Sequence, residues 1–124
     1  MTTVRYLVND VSAAQAFYVE KLGFALMEEF GEAFAIVGRG DLKLWLAGPP
    51  SSAARPMPDG RKPAPGGWSR FVMEVADIEA EVKRLKGLGV AFRNAIVKGP
   101  GGTQVLIEDP SGNPIELFQP RKGG

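Results

Sequence analysis

The stretch Glu108–Pro120, EDPSGNPIELFQP, combines a tight turn with a strand, and it decides the predicted architecture. Asp109–Asn113 is made of residues that favour loops, because proline fixes its backbone angle and glycine and asparagine accept unusual ones. Ile115–Phe118 follows as a strand in which apolar side chains alternate with others. The chain contains no histidine and no cysteine. Glu116 therefore lacks the two residue types that most often share a transition metal with a carboxylate.

Composition limits the class of protein. The 124 residues fit one domain, and 44% hydrophobic with 23% charged residues is typical of globular proteins. A net charge of +1 without runs of like charge argues against nucleic acid or an anionic membrane as partner. No apolar run approaches the roughly 20 residues of a membrane span. Met1–Asp10 lacks a basic and then apolar leader pattern, so we expect a cytoplasmic protein.

The first half of the chain predicts a strand, a helix and three more strands. Val4, Tyr6 and Val8 alternate with Thr3, Arg5 and Leu7, and Asp10 follows as a candidate N-cap. Apolar residues at helical spacing run from Val11 to Leu22 and stop at Gly23, which suits a left-handed C-terminal cap. The three further strands are predicted over Phe24–Phe30, Ala33–Val37 and Leu42–Leu46.

The second half repeats this order. Phe71, Met73 and Val75 form the alternating strand, Asp77 begins a helix and Gly89 ends it. The remaining strands are predicted over Val90–Arg93, Gln104–Ile107 and Ile115–Phe118. Recurrence of strand, cap, helix and glycine stop in the same order favours a duplicated βαβββ module over two unrelated segments.

Two motifs in these modules, FYVEKLGF at Phe17–Phe24 and DPSGNPIEL at Asp109–Leu117, give the chain a family resemblance. It resembles the glyoxalase/bleomycin resistance protein/extradiol dioxygenase superfamily, the vicinal oxygen chelate proteins. The resemblance implies an α+β fold in which two tandem βαβββ modules form curved mixed sheets around a cavity. Residues 1–124 would form a single domain, with module one over about 2–47, a linker over 48–67 and module two over about 68–120.

Strand alternation predicts which side chains face that cavity. The uniformly apolar face that carries Tyr6 should cover the helix, which leaves the other face inward. By this parity the inward residues are Thr3, Arg5, Leu7, Lys43, Trp45, Ala47, Arg70, Val72, Glu74, Glu116 and Phe118. Tyr6 is then expected to be structural.

The resemblance also implies where a metal would bind. In metal-dependent relatives four inward positions supply ligands, and here they correspond to Thr3, Lys43, Arg70 and Glu116. Two of the four are cations, and one carboxylate among cations does not hold a divalent ion. We therefore expect no metal and no cofactor.

Several readings of these residues stay open on sequence alone. Glu116 can recognise a polar group of a ligand or form an internal ion pair with Arg70 or Lys43, since a buried carboxylate is costly unless paired. A stacking pocket for a flat, apolar molecule could be formed by Trp45, Phe118, Phe34 and Trp68, with Met27 and Met57. Trp45 and Phe118 are equally compatible with ligand stacking and with the core, whereas Phe34 is expected in the core. The candidate ligand-binding residues are Arg5, Lys43, Trp45, Arg70, Glu74, Glu116 and Phe118.

The resemblance and the candidate residues support three hypotheses for the function. The first hypothesis is a metal-free small-molecule binding protein resembling the antibiotic-sequestering, bleomycin-resistance-like members, with an aromatic or apolar ligand. The alternatives are an enzyme and a structural partner domain. The enzyme would be a metal-dependent lyase, isomerase or dioxygenase with atypical ligands around Glu116, or a metal-free one with Glu116 as catalytic base. We also expect a homodimer, in which the modules pair either within one chain or across the two-fold axis.

Overall fold

The computed structural model describes residues 2–121, which divide into two compact units. The first unit runs to Gly66 and includes Pro110–Asn113, and the second contains Gly67–Asp109 and the residues from Pro114 onward. Each unit is an α+β arrangement with one mixed sheet and one main helix. The predicted α+β class with two sheets is therefore confirmed.

The first unit has the predicted order of elements. It contains β1 (Thr2–Leu7), α1 (Val11–Ala16), a π-helical turn (Phe17–Lys21), β2 (Ala25–Phe30), β3 (Phe34–Arg39) and β4 (Leu42–Ala47). The sheet order is β1-β4-β3-β2, with β1 parallel to β4 and the other pairs antiparallel.

Local signals set both ends of the first helical segment. The side chain of Asp10 accepts a hydrogen bond from the N–H of Ala13 at 3.1 Å, which is the expected N-cap. Gly23 has φ +75°, a conformation that glycine adopts without strain, and it ends the segment. The buried side chains of helix and sheet then pack into one core, which contains Tyr6, Val11, Ala14, Phe17, Tyr18, Leu22, Ala35, Val37, Leu44 and Leu46.

The second unit repeats the module with a shorter first strand. It contains β5 (Val72–Glu74), α2 (Ile78–Gly87), β6 (Ala91–Phe92), β7 (Val97–Lys98), β8 (Gly102–Glu108) and β9 (Pro114–Pro120). The strands follow the order β5-β9-β8-β6, and β7 also pairs with β8. Asp77 caps α2 by accepting from the N–H of Ala80 at 3.1 Å, and Gly89 has φ +78°.

The outer strand of this sheet is interrupted, which the sequence did not predict. β6 pairs with one end of β8 and β7 with the other. Between them the side chain of Asn94 accepts a hydrogen bond from the N–H of Leu106 at 2.9 Å, in place of a main-chain carbonyl. The single strand predicted over Val90–Arg93 is therefore shorter than expected, and β7 was missed.

The turn that opens the deciding motif is fixed by its own side chains. Asn113 is 4% exposed. Its amide nitrogen donates to the carbonyl of Leu7 at 2.7 Å, and its amide oxygen accepts from the N–H of Gly66 at 2.7 Å. The hydroxyl of Ser111 accepts from the N–H of Asn9 at 2.8 Å. These bonds explain why Pro110–Asn113 belongs to the first unit.

Within residues 2–121, every helix is too short or too polar to cross a bilayer.

Candidate functional site

The carboxylate of Glu116 is paired with Arg70 in the second unit. Strand β9 places Glu116 beside Val72 of β5 and Leu106 of β8, on the face of the sheet opposite to α2. Both Nε and Nη2 of Arg70 donate to Oε1 of Glu116, at 3.1 and 2.8 Å. The side chains of Arg70 and Glu116 are 27% and 12% exposed. The ion pair predicted between these residues is therefore present and largely sheltered from water.

The second carboxylate oxygen of Glu116 is left open. Among the residues that the structure describes, none donates a hydrogen bond to Oε2, and this atom is not sealed from solvent. A carboxylate oxygen in such a sheltered position accepts strongly, because charge-assisted hydrogen bonds exceed neutral ones. The second unit thus offers one free acceptor beside a neutralised carboxylate.

Arg70 also connects this pair to an exposed aromatic ring. Its Nη1 donates to the main-chain carbonyl of Trp68 at 3.1 Å. The indole of Trp68 lies over the guanidinium of Arg93, with 4.6 Å between the Cζ atom and the ring centroid. Trp68 is nevertheless 70% exposed, so its opposite face is open.

Arg93 is held firmly in place beneath that ring. Its Nε donates to Glu108 at 2.7 Å and its Nη1 to the carbonyl of Gly67 at 2.6 Å. Its main-chain N–H bonds the carbonyl of Leu106 at 3.0 Å, at the point where the outer strand is interrupted. Arg93 is therefore a fixed support for the ring of Trp68.

Two other predicted residues of the second unit share the face of Glu116. Phe118 and Glu74 are register partners, and Phe118 is half-buried whereas Glu74 is exposed. The ring of Phe118 covers Gly102, where an added Cβ would lie 2.8 Å from Cζ. Glu74 makes no hydrogen bond or ion pair inside the stretch from Thr2 to Arg121.

The first unit has its own aromatic face on the side of its sheet away from α1. Arg5 and Trp45 are register partners, and the Arg5 Cζ atom lies 4.9 Å from the centroid of the indole. Phe34 meets the indole edge-on with 5.5 Å between centroids. The indole nitrogen of Trp45 is buried, and it has no hydrogen-bond partner in the described chain. Lys43 lies half-buried in the same strand as Trp45.

Phe34 corrects one expectation from the sequence. It was placed in the core, but it is half-buried and pairs in register with Ala47 on the face that carries Trp45. Arg5 lies 6.0 Å from its ring centroid. The strand begins one residue later than predicted, at Phe34, and the residues with the core parity are Ala35 and Val37.

The donor chemistry does not fit the metal that the fold family implies. Two of the four corresponding positions are Thr3 and Lys43, which are register partners on β1 and β4 of the first unit. The other two are Arg70 and Glu116, which form an ion pair in the second unit. Glu116 already neutralises a cation, and ammonium and guanidinium groups cannot act as ligands. Residues 2–121 also contain no cluster of three or more carboxylate, imidazole or thiol side chains.

The structure therefore groups the predicted residues in two sets, one in each unit. Arg5, Lys43 and Trp45 share the first aromatic face, and Arg70, Glu74, Glu116 and Phe118 share the second face. Sequence reasoning missed Arg93, which is positioned by a contact with Glu108 across the sheet. The available signal was an arginine at the end of the strand predicted over Val90–Arg93, followed by the turn-forming residue Asn94.

Comparison with known proteins agrees with this architecture. A family model described as the Glyoxalase/Bleomycin resistance protein/Dioxygenase superfamily matches residues 1–117. A comparison with curated protein sequences finds no significant match.

Solved structures resemble the chain over almost its whole length. TnmS3, an antibiotic binding protein from Streptomyces sp. CB03234, is 30% identical, with 96% of this chain and 93% of that one covered and a TM-score of 0.74. A superfamily member from Sphaerobacter thermophilus is 27% identical, covering 96% and 95% at a TM-score of 0.76. Lactoylglutathione lyase from Agrobacterium tumefaciens shares the fold at 23% identity, covering 96% and 92% at a TM-score of 0.77. From its repeated modules, its matched family model and these relatives, the chain belongs to the glyoxalase/bleomycin resistance protein/dioxygenase superfamily.

Proposed function

We propose that this protein binds a small aromatic or apolar molecule without a metal, as a sequestering protein and not as a catalyst. The observation that carries the proposal is the bond between Glu116 and Arg70. The carboxylate that would ligate a metal instead neutralises a guanidinium, so the position supports recognition of polar groups. A lyase or dioxygenase that depends on a metal would need donors that these positions lack.

The exposed aromatic surface supports binding of a flat molecule. Binding sites for small molecules combine apolar and aromatic walls with a few fixed polar groups. In the first unit Trp45, Phe34 and the guanidinium of Arg5 form one such wall. In the second unit Phe118 follows Glu116 by two residues in β9, and the main-chain carbonyl of Trp68 accepts a hydrogen bond from Arg70.

Similarity to TnmS3 supports the same class of function. That protein is described as an antibiotic binding protein, and it is 30% identical to this chain over 96% of the present chain's length. By this similarity, the ligand of the present chain would be an antibiotic or a comparably bulky natural product. A role in antibiotic resistance is part of the same proposal.

Assembly is also part of the proposal. Strand β2 lies at the edge of the first sheet, and its residues Leu26, Met27 and Phe30 are 41%, 48% and 58% exposed. An open sheet edge with exposed apolar side chains can pair with a partner strand, even though β2 also carries Glu28 and Glu29, so we propose a homodimer. The cytoplasmic location expected from the sequence belongs to this proposal as well.

A thermal-shift screen against aromatic natural products tests the function. A ligand that binds only the folded state stabilises it by mass action, by about 2.7 kcal/mol at a hundredfold excess over Kd. This stabilisation raises the melting temperature. The screen is run in parallel with and without EDTA. The proposal requires at least one saturable ligand whose effect is unchanged by EDTA. Stabilisation that appears only with an added divalent ion would favour the metal-dependent alternative.

A further inference from the structure

We propose that Trp68 and Glu116 together form a subsite for a planar aromatic ring that carries a hydrogen-bond donor, such as a phenol or an aromatic amine. This inference rests on the proposed function, because it names the ligand chemistry that the second unit would recognise. It gives Trp68 a definite binding role and adds Arg93 to the candidate site as the support of that ring. The ring would stack on Trp68, and its donor would reach the open Oε2 of Glu116.

The stacking half of the subsite is already organised. The inner face of Trp68 rests on the guanidinium of Arg93, which itself donates to Glu108 and to the carbonyl of Gly67. The ring is 70% exposed despite this support. A fixed aromatic ring loses little entropy when a ligand stacks on it, so its outer face is suited to a planar partner.

The polar half is set by the direction of Arg70. Its Nε and Nη2 both bond Oε1 of Glu116, while Nη1 bonds the carbonyl of Trp68. One guanidinium thus bonds both the carboxylate that offers the acceptor and the main chain of the residue that carries the ring. Since Arg70 uses only Oε1, the ligand that complements Oε2 must donate a hydrogen bond, and an acceptor group there would be repelled.

The experiment uses 2-naphthol and 2-methoxynaphthalene, flat probes that differ in the hydrogen-bond donor. The chain has two tryptophans. Its ¹⁵N-labelled form therefore gives two indole signals, which the variants Trp45→Phe and Trp68→Phe assign. 2-Naphthol is expected to shift the indole signal of Trp68. Trp68→Ala should weaken its binding about five- to tenfold, the effect of one lost stacking contact. Leu88→Ala, at another exposed apolar position, is the matched control.

The donor is tested separately with Glu116→Gln. Wild-type protein should prefer 2-naphthol over 2-methoxynaphthalene about tenfold, because the donor meets a charged acceptor. In Glu116→Gln the preference should fall to about threefold or less, since the neutral amide accepts more weakly. A preference that is absent from the wild type, or unchanged in the variant, overturns the assignment of Glu116.

Other outcomes separate this inference from the proposed function. If a compound from the thermal-shift screen binds while the Trp68 signal stays still with that compound and with 2-naphthol, the subsite is wrong and the binding function stands. If the Trp68 signal shifts with protein concentration alone, the ring belongs to an interface between copies, and the subsite is wrong. If no screened compound stabilises the protein but 2-naphthol shifts Trp68 with the stated preferences, the subsite stands and the sequestering role fails.

Discussion

Arg70 holds Glu116 by one oxygen only, because Nε and Nη2 both donate to Oε1, at 3.1 and 2.8 Å. Because both nitrogens donate to the same oxygen, the carboxylate is neutralised while Oε2 stays available. The same contact therefore occupies a potential metal ligand and leaves an acceptor that the proposed ligand would meet.

Replacing Glu116 with Gln should destabilise the protein, because the guanidinium of Arg70 loses its countercharge in a sheltered position. We expect a loss of about 1–3 kcal/mol in the free energy of unfolding, below the roughly 3–5 kcal/mol of a fully buried pair, since water reaches Arg70. Urea unfolding of both proteins measures the difference. An unchanged unfolding midpoint would mean that the pair does not contribute.

Glu81→Gln is the matched control for that experiment. Glu81 and Arg84 form an ion pair one helical turn apart, with side chains 32% and 44% exposed. Hydrogen bonding to Glu81 raises the pKa of Arg84, which is charged at neutral pH in any case. Exposed pairs contribute little, so we expect a change within about 0.5 kcal/mol.

The purified protein should carry no stoichiometric divalent metal. The positions that would supply ligands hold Thr3 and Lys43 in the first unit and Arg70 and Glu116 in the second, and the last two form an ion pair. Elemental analysis after purification without chelator measures the metal content, and a parallel melt with EDTA should give the same melting temperature. A tightly held ion that disappears in Glu116→Gln would contradict the prediction and restore the enzyme alternative.

Features governed by near neighbours could be predicted from the sequence. Asp10 and Asp77 cap their helices, and Gly23 and Gly89 end them with positive φ, because each acts on residues within one turn. Parity along the strands was equally local. It placed Glu116 on the face away from the helix, where Arg70 meets it.

Features that depend on contacts between distant segments were missed. The interruption of the outer strand comes from Asn94 bonding Leu106, and the position of Arg93 depends on Glu108 and Gly67. Neither bond follows from spacing along the chain. Phe34 was misplaced for a related reason, since a short strand beside a turn leaves its starting residue, and thus its exposed face, undetermined.

Two glycine substitutions should change stability in opposite directions. A Cβ at Gly48 would lie 2.2 Å from the carbonyl oxygen of Glu32 and 2.7 Å from Cγ2 of Val11, so Gly48→Ala should cost about 1–3 kcal/mol. Gly87 lies in the last turn of α2 with open space around it, so Gly87→Ala should stabilise by about 0.5–1 kcal/mol. Thermal melts of the two variants measure both effects, and equal shifts would contradict the packing described for Gly48.

The protein should be a homodimer whose contact includes the edge strand β2. Leu26 in that strand is 41% exposed, and a lysine there should oppose strand pairing between copies. Light scattering is expected to give a dimeric mass for the wild type and a monomeric mass for Leu26→Lys. Leu88→Lys, at a position 44% exposed beyond α2, should remain dimeric. A monomeric wild type at micromolar concentration would rule out the dimer.

Asn94 should stabilise the interrupted strand through its amide oxygen alone. This oxygen accepts from the N–H of Leu106 at 2.9 Å, and no main-chain carbonyl replaces it at that point of the ladder. Asn94→Ala leaves the N–H without its acceptor and should cost about 1–2 kcal/mol, whereas Asn94→Asp keeps an acceptor and should cost less. Hydrogen exchange at Leu106 should become faster in the alanine variant only. Because Arg93 is the neighbouring residue, the indole signal of Trp68 should also move in that variant, and equal exchange in both variants would contradict this role.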